Sequence, residues 1–179
     1  MSSRELIQSM QIQLVLKYML EYQKKNNIKG RCVINAQYLR DLIVADGMEA
    51  KVLPAICINR YPAKLLCYGH LCIELNGVIM EPSYEIANFE KDYKTEYYHA
   101  ITSSFMGCPF NKRLSKEQIN KFNSFVKIAN NINNNEKWVD DVDYYHKQAD
   151  YVENKMSSIL KNRKVMTKKQ YLTMLQSLI

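Results

Sequence analysis

The sequence has no apolar run approaching the roughly 18 residues that a bilayer-spanning helix needs. The opening MSSRELIQSMQIQLVLKYML carries Arg4, Glu5 and several glutamines, and no small-residue cleavage site, so it matches a secretory signal poorly. No Cys-x-x-Cys pair occurs, and the 5 cysteines are odd in number. A disulfide framework or a zinc site is therefore not expected. Cys57, Cys67, Cys72 and Cys108 read as small buried hydrophobes. Acidic residues are scarce at the far end, where from Tyr151 onward Glu153 alone faces Lys155, Lys161, Arg163, Lys164, Lys168 and Lys169. No internal repeat is visible. These absences leave a soluble intracellular protein, expected in the cytoplasm, with no metal and no cofactor site.

What is present suits one domain, or one domain with an appendage. An apolar share of 47% fills a core, and 24% charged residues cover it. The net charge of +7 gathers in the C-terminal stretch. That stretch could meet nucleic acid or an acidic protein. Its ordinary reading is a solvated helix face.

Periodicity predicts helices first. Ser2 and Glu5 form a capping box, and Leu6, Met10, Leu14 and Tyr18 recur at helical spacing over 3–25. A second helix over 32–45 presents Leu39, Leu42 and Ile43, with Gly47 as its stop. Then the period changes. AKVLPAICIN reads as a strand, with Pro54 pointing to an edge or a bulge. LLCYGHLCIEL and VIMEP read as two more strands, joined by Asn76-Gly77, the pair that a type I′ hairpin turn favours. EYYHAIT is a fourth candidate strand. Ser115 and Gln118 cap another helix, with Ile119, Phe122, Val126 and Ile128 near one face, and NNINNN at 130–135 reads as a loop. Residues 136–162 read as a long polar helix, and Thr167 with Gln170 caps a last short one. Helices, then strands, then helices give an α+β fold. The expected division is a core over 1–112 and a helical extension over 113–179 packed on it.

The hairpin has a geometric consequence. A two-residue turn sets Leu75 opposite Val78, Glu74 opposite Ile79, Ile73 opposite Met80, Cys72 opposite Glu81, and His70 opposite Ser83. His70, Cys72, Glu74, Ile79, Glu81 and Ser83 then share a face. Glu81 is a diagonal neighbour of His70, roughly 7–8 Å away between backbones. Glu74 lies four residues along its strand, roughly 13 Å off at about 3.3 Å per residue. Glu81 is the carboxylate placed to orient His70.

A histidine oriented by a carboxylate is half of a nucleophilic triad. Cys32 is the candidate nucleophile, because it opens a helix just after Gly30 and Arg31. Free N–H groups and the helix dipole stabilise a thiolate there and offer part of an oxyanion hole. Cys72 is the rival, on the same face as His70 but inside a sheet. His99 and His146 have no comparable partners and read as structural or surface residues. Trp138, Tyr144, Tyr145 and Tyr151 read as packing residues. Alone, Cys32, His70 and Glu81 each have an ordinary structural reading. Their order and setting together point to catalysis.

GRCVINAQYLRDLIVADGMEAKV followed by GHLCIELNGVIMEPS resembles the core of the transglutaminase-like superfamily. That group holds transglutaminases, arylamine N-acetyltransferases, peptide N-glycanases and papain-like thiol hydrolases. The resemblance covers about 30–85. It implies a papain-like α+β core, in which a small antiparallel sheet packs on the cysteine-bearing helix, and a Cys32, His70, Glu81 triad. Glu81 stands where the family usually has Asp, and Leu71 and Cys72 replace an aromatic that often follows the histidine. Gln23 is the nearest upstream glutamine to the oxyanion-hole position of papain relatives. The expected activity is acyl transfer through a thioester on a peptide or other amide-containing substrate. A thiol peptidase or amidase comes first, because no acyl-donor site is legible, and an amine-accepting acyltransferase second. The other reading is a degenerate member of the fold that binds nucleic acid or an acidic protein through its basic C-terminal helices.

Overall fold

The first helix, α1 (Ser3–Lys25), carries two buried stripes rather than one. Met10 and Leu14 meet Ile159, while Ile12 and Met19 enter the main core. A helix apolar on two sides must be covered on two sides. The computed structural model describes residues 3–61, 64–87, 94–99, 115–138, 141–163, 167, 169–170 and 173, and the statements below concern these. Ser2, Cys108 and most of the expected last helix lie outside them.

Helix α2 (Cys32–Ala45) ends as its sequence requires. Gly47 adopts φ +82°, and the N–H groups of Gly47 and Met48 return to the carbonyls of Val44 and Ile43. That is the paired bonding of a Schellman stop.

The chain then forms β1 (Ala50–Tyr61), β2 (Lys64–Leu75) and β3 (Val78–Met80), a short α3 (Tyr84–Ala87), and β4 (Lys94–His99). The strands make one antiparallel sheet in the order β3-β2-β1-β4. Asn76 (φ 52°) and Gly77 (φ 78°) supply the two positive φ values of the turn. The pairs Leu75–Val78, Glu74–Ile79 and Ile73–Met80 form as expected. Pairing stops at Met80, because Pro82 has no N–H to continue a ladder. The expected Cys72–Glu81 and His70–Ser83 backbone pairs therefore do not form.

Pro54 led to the expectation of an edge or bulged strand, but β1 is interior, between β2 and β4. Pro54 faces Leu71 on one side, and the described part of β4 stops opposite Ala55, one residue away.

Helix α4 (Lys116–Asn133) starts at the expected capping box, in which Ser115 and Gln118 bond reciprocally at 2.8 and 3.2 Å. It continues through residues 130–133, which the sequence presented as loop. Ile132 is buried there, and Asn133 both donates to the Val52 carbonyl and accepts from its N–H, at 2.9 and 2.8 Å. Tertiary bonds of this kind outweigh the poor helix propensity of an asparagine run.

Helix α5 (Val142–Arg163) begins six residues later than expected. Asp141 caps it, accepting the Tyr144 N–H at 3.0 Å. Farther on, Thr167 and Gln170 bond as a cap.

One apolar cluster joins α1, α2, the sheet, α4 and α5, through Met19, Leu39, Ile43, Val52, Leu71, Ile73, Ile132 and Val152 among others. The fold is α+β, with residues on both sides of position 113 sharing one core. No described helix is long and apolar enough to cross a membrane.

Candidate active site

His70 sits in β2 and is almost wholly buried, at 2% exposure. Leu71 and Ile73 alternate with it and enter the main core, while Cys72 packs with Leu53 and Ala55. The strand therefore fixes the imidazole from both flanks. Glu81 leaves the end of β3 and turns both carboxylate oxygens onto His70 Nε2, at 2.9 and 2.8 Å. A carboxylate only accepts, so Nε2 carries a proton. Glu81 Oε1 also accepts the Ser83 N–H at 2.9 Å, which holds the carboxylate in place.

The Cys32 side chain acts on the same imidazole, and its hydrogen bonding and charge both favour the protonated ring. Cys32 is half-buried at the first position of α2. Arg31, at the N-cap, contributes no side-chain cap. The first backbone bond of this turn runs from the Asn35 N–H to Arg31 O, at 2.9 Å. The N–H groups of Cys32, Val33 and Ile34 precede that bond and have no intrahelical partner.

Two opposed influences act on His70. Burial, the largest, disfavours the imidazolium. The hydrogen bonds to Cys32 and Glu81, with the negative charge of both, favour it more strongly, and its pKa is pushed up to about 10. The site thus favours a protonated imidazole backed by a carboxylate.

Cys72, the rival nucleophile, is fully buried and donates to the Leu53 carbonyl at 3.7 Å. Burial pushes its thiol up to about 12, with the Glu81 charge in support. A thiol in that state is neither ionised nor reachable.

Gln23 is not free to act as an oxyanion donor. Its Nε2 donates to the Pro82 carbonyl and to Gln148 Oε1, both at 2.9 Å, and its Oε1 accepts the Tyr84 N–H at 2.8 Å. It is a clamp on the segment that carries Glu81.

Several residues that were not assigned to the site from the sequence meet here. Asn35, one turn along α2 from Cys32, donates to Ser83 Oγ at 3.2 Å. The Tyr144 hydroxyl directs its proton at Asn35 Oδ1, 2.7 Å away, and lies 3.0 Å from Gln148 Oε1. Glu85 accepts the Gly30 N–H at 2.8 Å, and Arg31 pairs with Asp141 at 3.2 Å. These last two bonds anchor the turn ahead of Cys32 from α3 and from the start of α5. The i, i+4, i+8 spacing of Tyr144, Gln148 and Val152 was a signal for the buried face of α5.

Of the other histidines, His146 is exposed on α5, its ring edge-on to Tyr145. His99 pairs with Ala55 in the backbone register of β4. No group of described residues could hold a metal ion. Comparison with known proteins adds no kinship, for no family model, no curated protein and no solved structure matches this chain.

Proposed function

We propose that the chain is a cysteine-dependent acyl-transfer enzyme of papain-like, transglutaminase-like type, working through a thioester as a peptidase or amidase. One observation carries the reading: a single buried imidazole is gripped by the Glu81 carboxylate and feels the sulfur at the first position of α2.

The Cys32 proton passes to His70 Nδ1, and Glu81 stabilises the imidazolium from Nε2. The thiolate attacks the carbonyl carbon of an amide, forming a C–S bond and a tetrahedral oxyanion. The N–H groups of the first turn of α2, which have no intrahelical partner, are the donors assigned to that charge. As the intermediate collapses, the C–N bond breaks and the imidazolium gives its proton to the departing amine. A thioester remains on Cys32. Water then gives a proton to His70 and adds to the thioester carbonyl. The C–S bond breaks, the acid leaves, and the thiolate–imidazolium pair returns.

The test is mass spectrometry of the intact protein with a panel of activated esters and peptide amides. The expected result is one acyl adduct on Cys32, absent from Cys32→Ala and forming far more slowly in His70→Ala. Adducts spread over several cysteines, or persisting in Cys32→Ala, contradict the reading.

A further inference from the structure

Four buried polar side chains converge on the short segment that carries Glu81. Gln23, Asn35, Ser83 and Gln148 are each at most 1% exposed. Gln23 holds Pro82 O and Tyr84 N. Asn35 holds Ser83 Oγ, and the Ser83 N–H holds Glu81 Oε1. Both amides are bonded in turn from α5, Asn35 by Tyr144 and Gln23 by Gln148.

Polar groups in a core cost desolvation, and apolar residues of similar volume would pack there without it. Gln148 shows the cost directly, because its Nε2 is buried without a partner among the described residues. A helix with only a packing role has no need of that arrangement. What the network does secure is the direction of one carboxylate, since its bonds reach Pro82, Ser83 and Tyr84, the three residues that follow Glu81.

We propose that Tyr144 and Asn35 are positioning residues for Glu81, so that α5 belongs to the catalytic apparatus rather than serving as a lid or a separate surface. The path runs from the Tyr144 hydroxyl to Asn35, to Ser83 and to the carboxylate that grips His70. This rests on the triad proposed above. Hydrogen-bonded chains of this kind lock a functional group into one orientation, which a lone surface carboxylate would not keep.

The test reads the thiolate rather than turnover. Cys32 and Glu81 act on the His70 ring, and Tyr22, Arg31 and Asp141 act on Tyr144. The iodoacetamide rate at Cys32 is measured from pH 5 to pH 10 in wild type, Tyr144→Phe, Ser83→Ala and the double variant. Tyr145→Phe is the control, since it removes a hydroxyl from the same helix outside the path. At pH 6 each single variant should react about threefold or more slowly than wild type, a loss of half a pKa unit or more in thiolate stabilisation. Rates should converge above pH 9, where a thiol ionises unaided. The double variant should lose no more than the larger single loss, because both changes cut one path. Tyr145→Phe should stay within about twofold of wild type, as a change outside the network should.

Folded Tyr144→Phe and Ser83→Ala proteins with wild-type profiles overturn the proposal, as does an equal loss in Tyr145→Phe or simple additivity in the double variant. If Tyr144→Phe does not fold, Ser83→Ala decides alone. If wild-type Cys32 reacts no faster than an ordinary thiol, the triad itself falls. A reactive Cys32 that ignores these substitutions overturns only the positioning role.

Discussion

Glu81 meets His70 with both carboxylate oxygens at once, 2.9 and 2.8 Å from a single ring nitrogen. The Asn76-Gly77 turn sets this, because its register delivers Glu81 to the mouth of the hairpin beside His70. Charge here matters more than shape. Glu81→Gln keeps the outline and one acceptor but removes the negative charge. The iodoacetamide rate at Cys32 at pH 6 should fall about tenfold, as loss of one pKa unit of stabilisation requires. A rate unchanged from wild type would mean that the carboxylate does not support the pair.

The second prediction concerns the proton on His70. In the unfolded chain an imidazole loses its proton near 6.5. In the folded chain it keeps it to about pH 10, because the bonds and charges of Cys32 and Glu81 outweigh burial. The stability this proton contributes is therefore complete below about 6.5 and is lost as the pH rises from there through about 10. Nitrogen NMR of labelled His70 should show an imidazolium at pH 8. Titration near 6.5 would remove the basis for the ion pair.

Cysteine mapping separates the two rival nucleophiles. Cys72 is buried, and its thiol is held protonated far above neutrality. Iodoacetamide on the native protein at pH 7 should leave Cys72 unmodified, and denaturant should expose it. Peptide mapping before and after urea checks this. Modification of native Cys72 at the rate of Cys32 would reopen the choice of nucleophile.

The strand that carries His70 also depends on its neighbour. A Cβ on Gly69 would stand 2.4 Å from Phe125 Cδ2 and 2.7 Å from Cε2, so the ring of α4 would have to move. Gly69→Ala should cost about 1–3 kcal/mol, the usual range for an overpacked core. Urea unfolding measures the change, and restoration by Gly69→Ala with Phe125→Leu would identify the ring as the cause.

The local features were legible in the sequence, and the distant ones were not. The Asn-Gly turn, the Gly47 stop and the Ser115 cap each depend on residues a few positions apart, so the pattern carries them. The pairing of His70 with Glu81 followed from that turn. NNINNN misled because its helix is held by Asn133 bonding Val52, 81 residues away in sequence. Pro54 misled because β1 is made interior by β4, a strand distant in sequence that β1 itself does not encode. Gln23 looked like a stray upstream glutamine, since its partners at Pro82, Tyr84 and Gln148 come from other elements. The face of α5 that reaches Asn35 was hidden by polar composition. Tyr144 reads as a packing residue, but Gln148, buried beside it, does not read as core by residue type.

The central claim is that Cys32 is an activated thiol. It is tested most directly by the second-order rate of iodoacetamide with Cys32 at pH 6, read by peptide mass spectrometry in wild type and His70→Ala. The account predicts that wild-type Cys32 reacts at least about tenfold faster than an ordinary thiol of pKa near 8.5, and that His70→Ala removes the advantage. An ordinary rate at Cys32, or a fast rate that survives loss of His70, would contradict it.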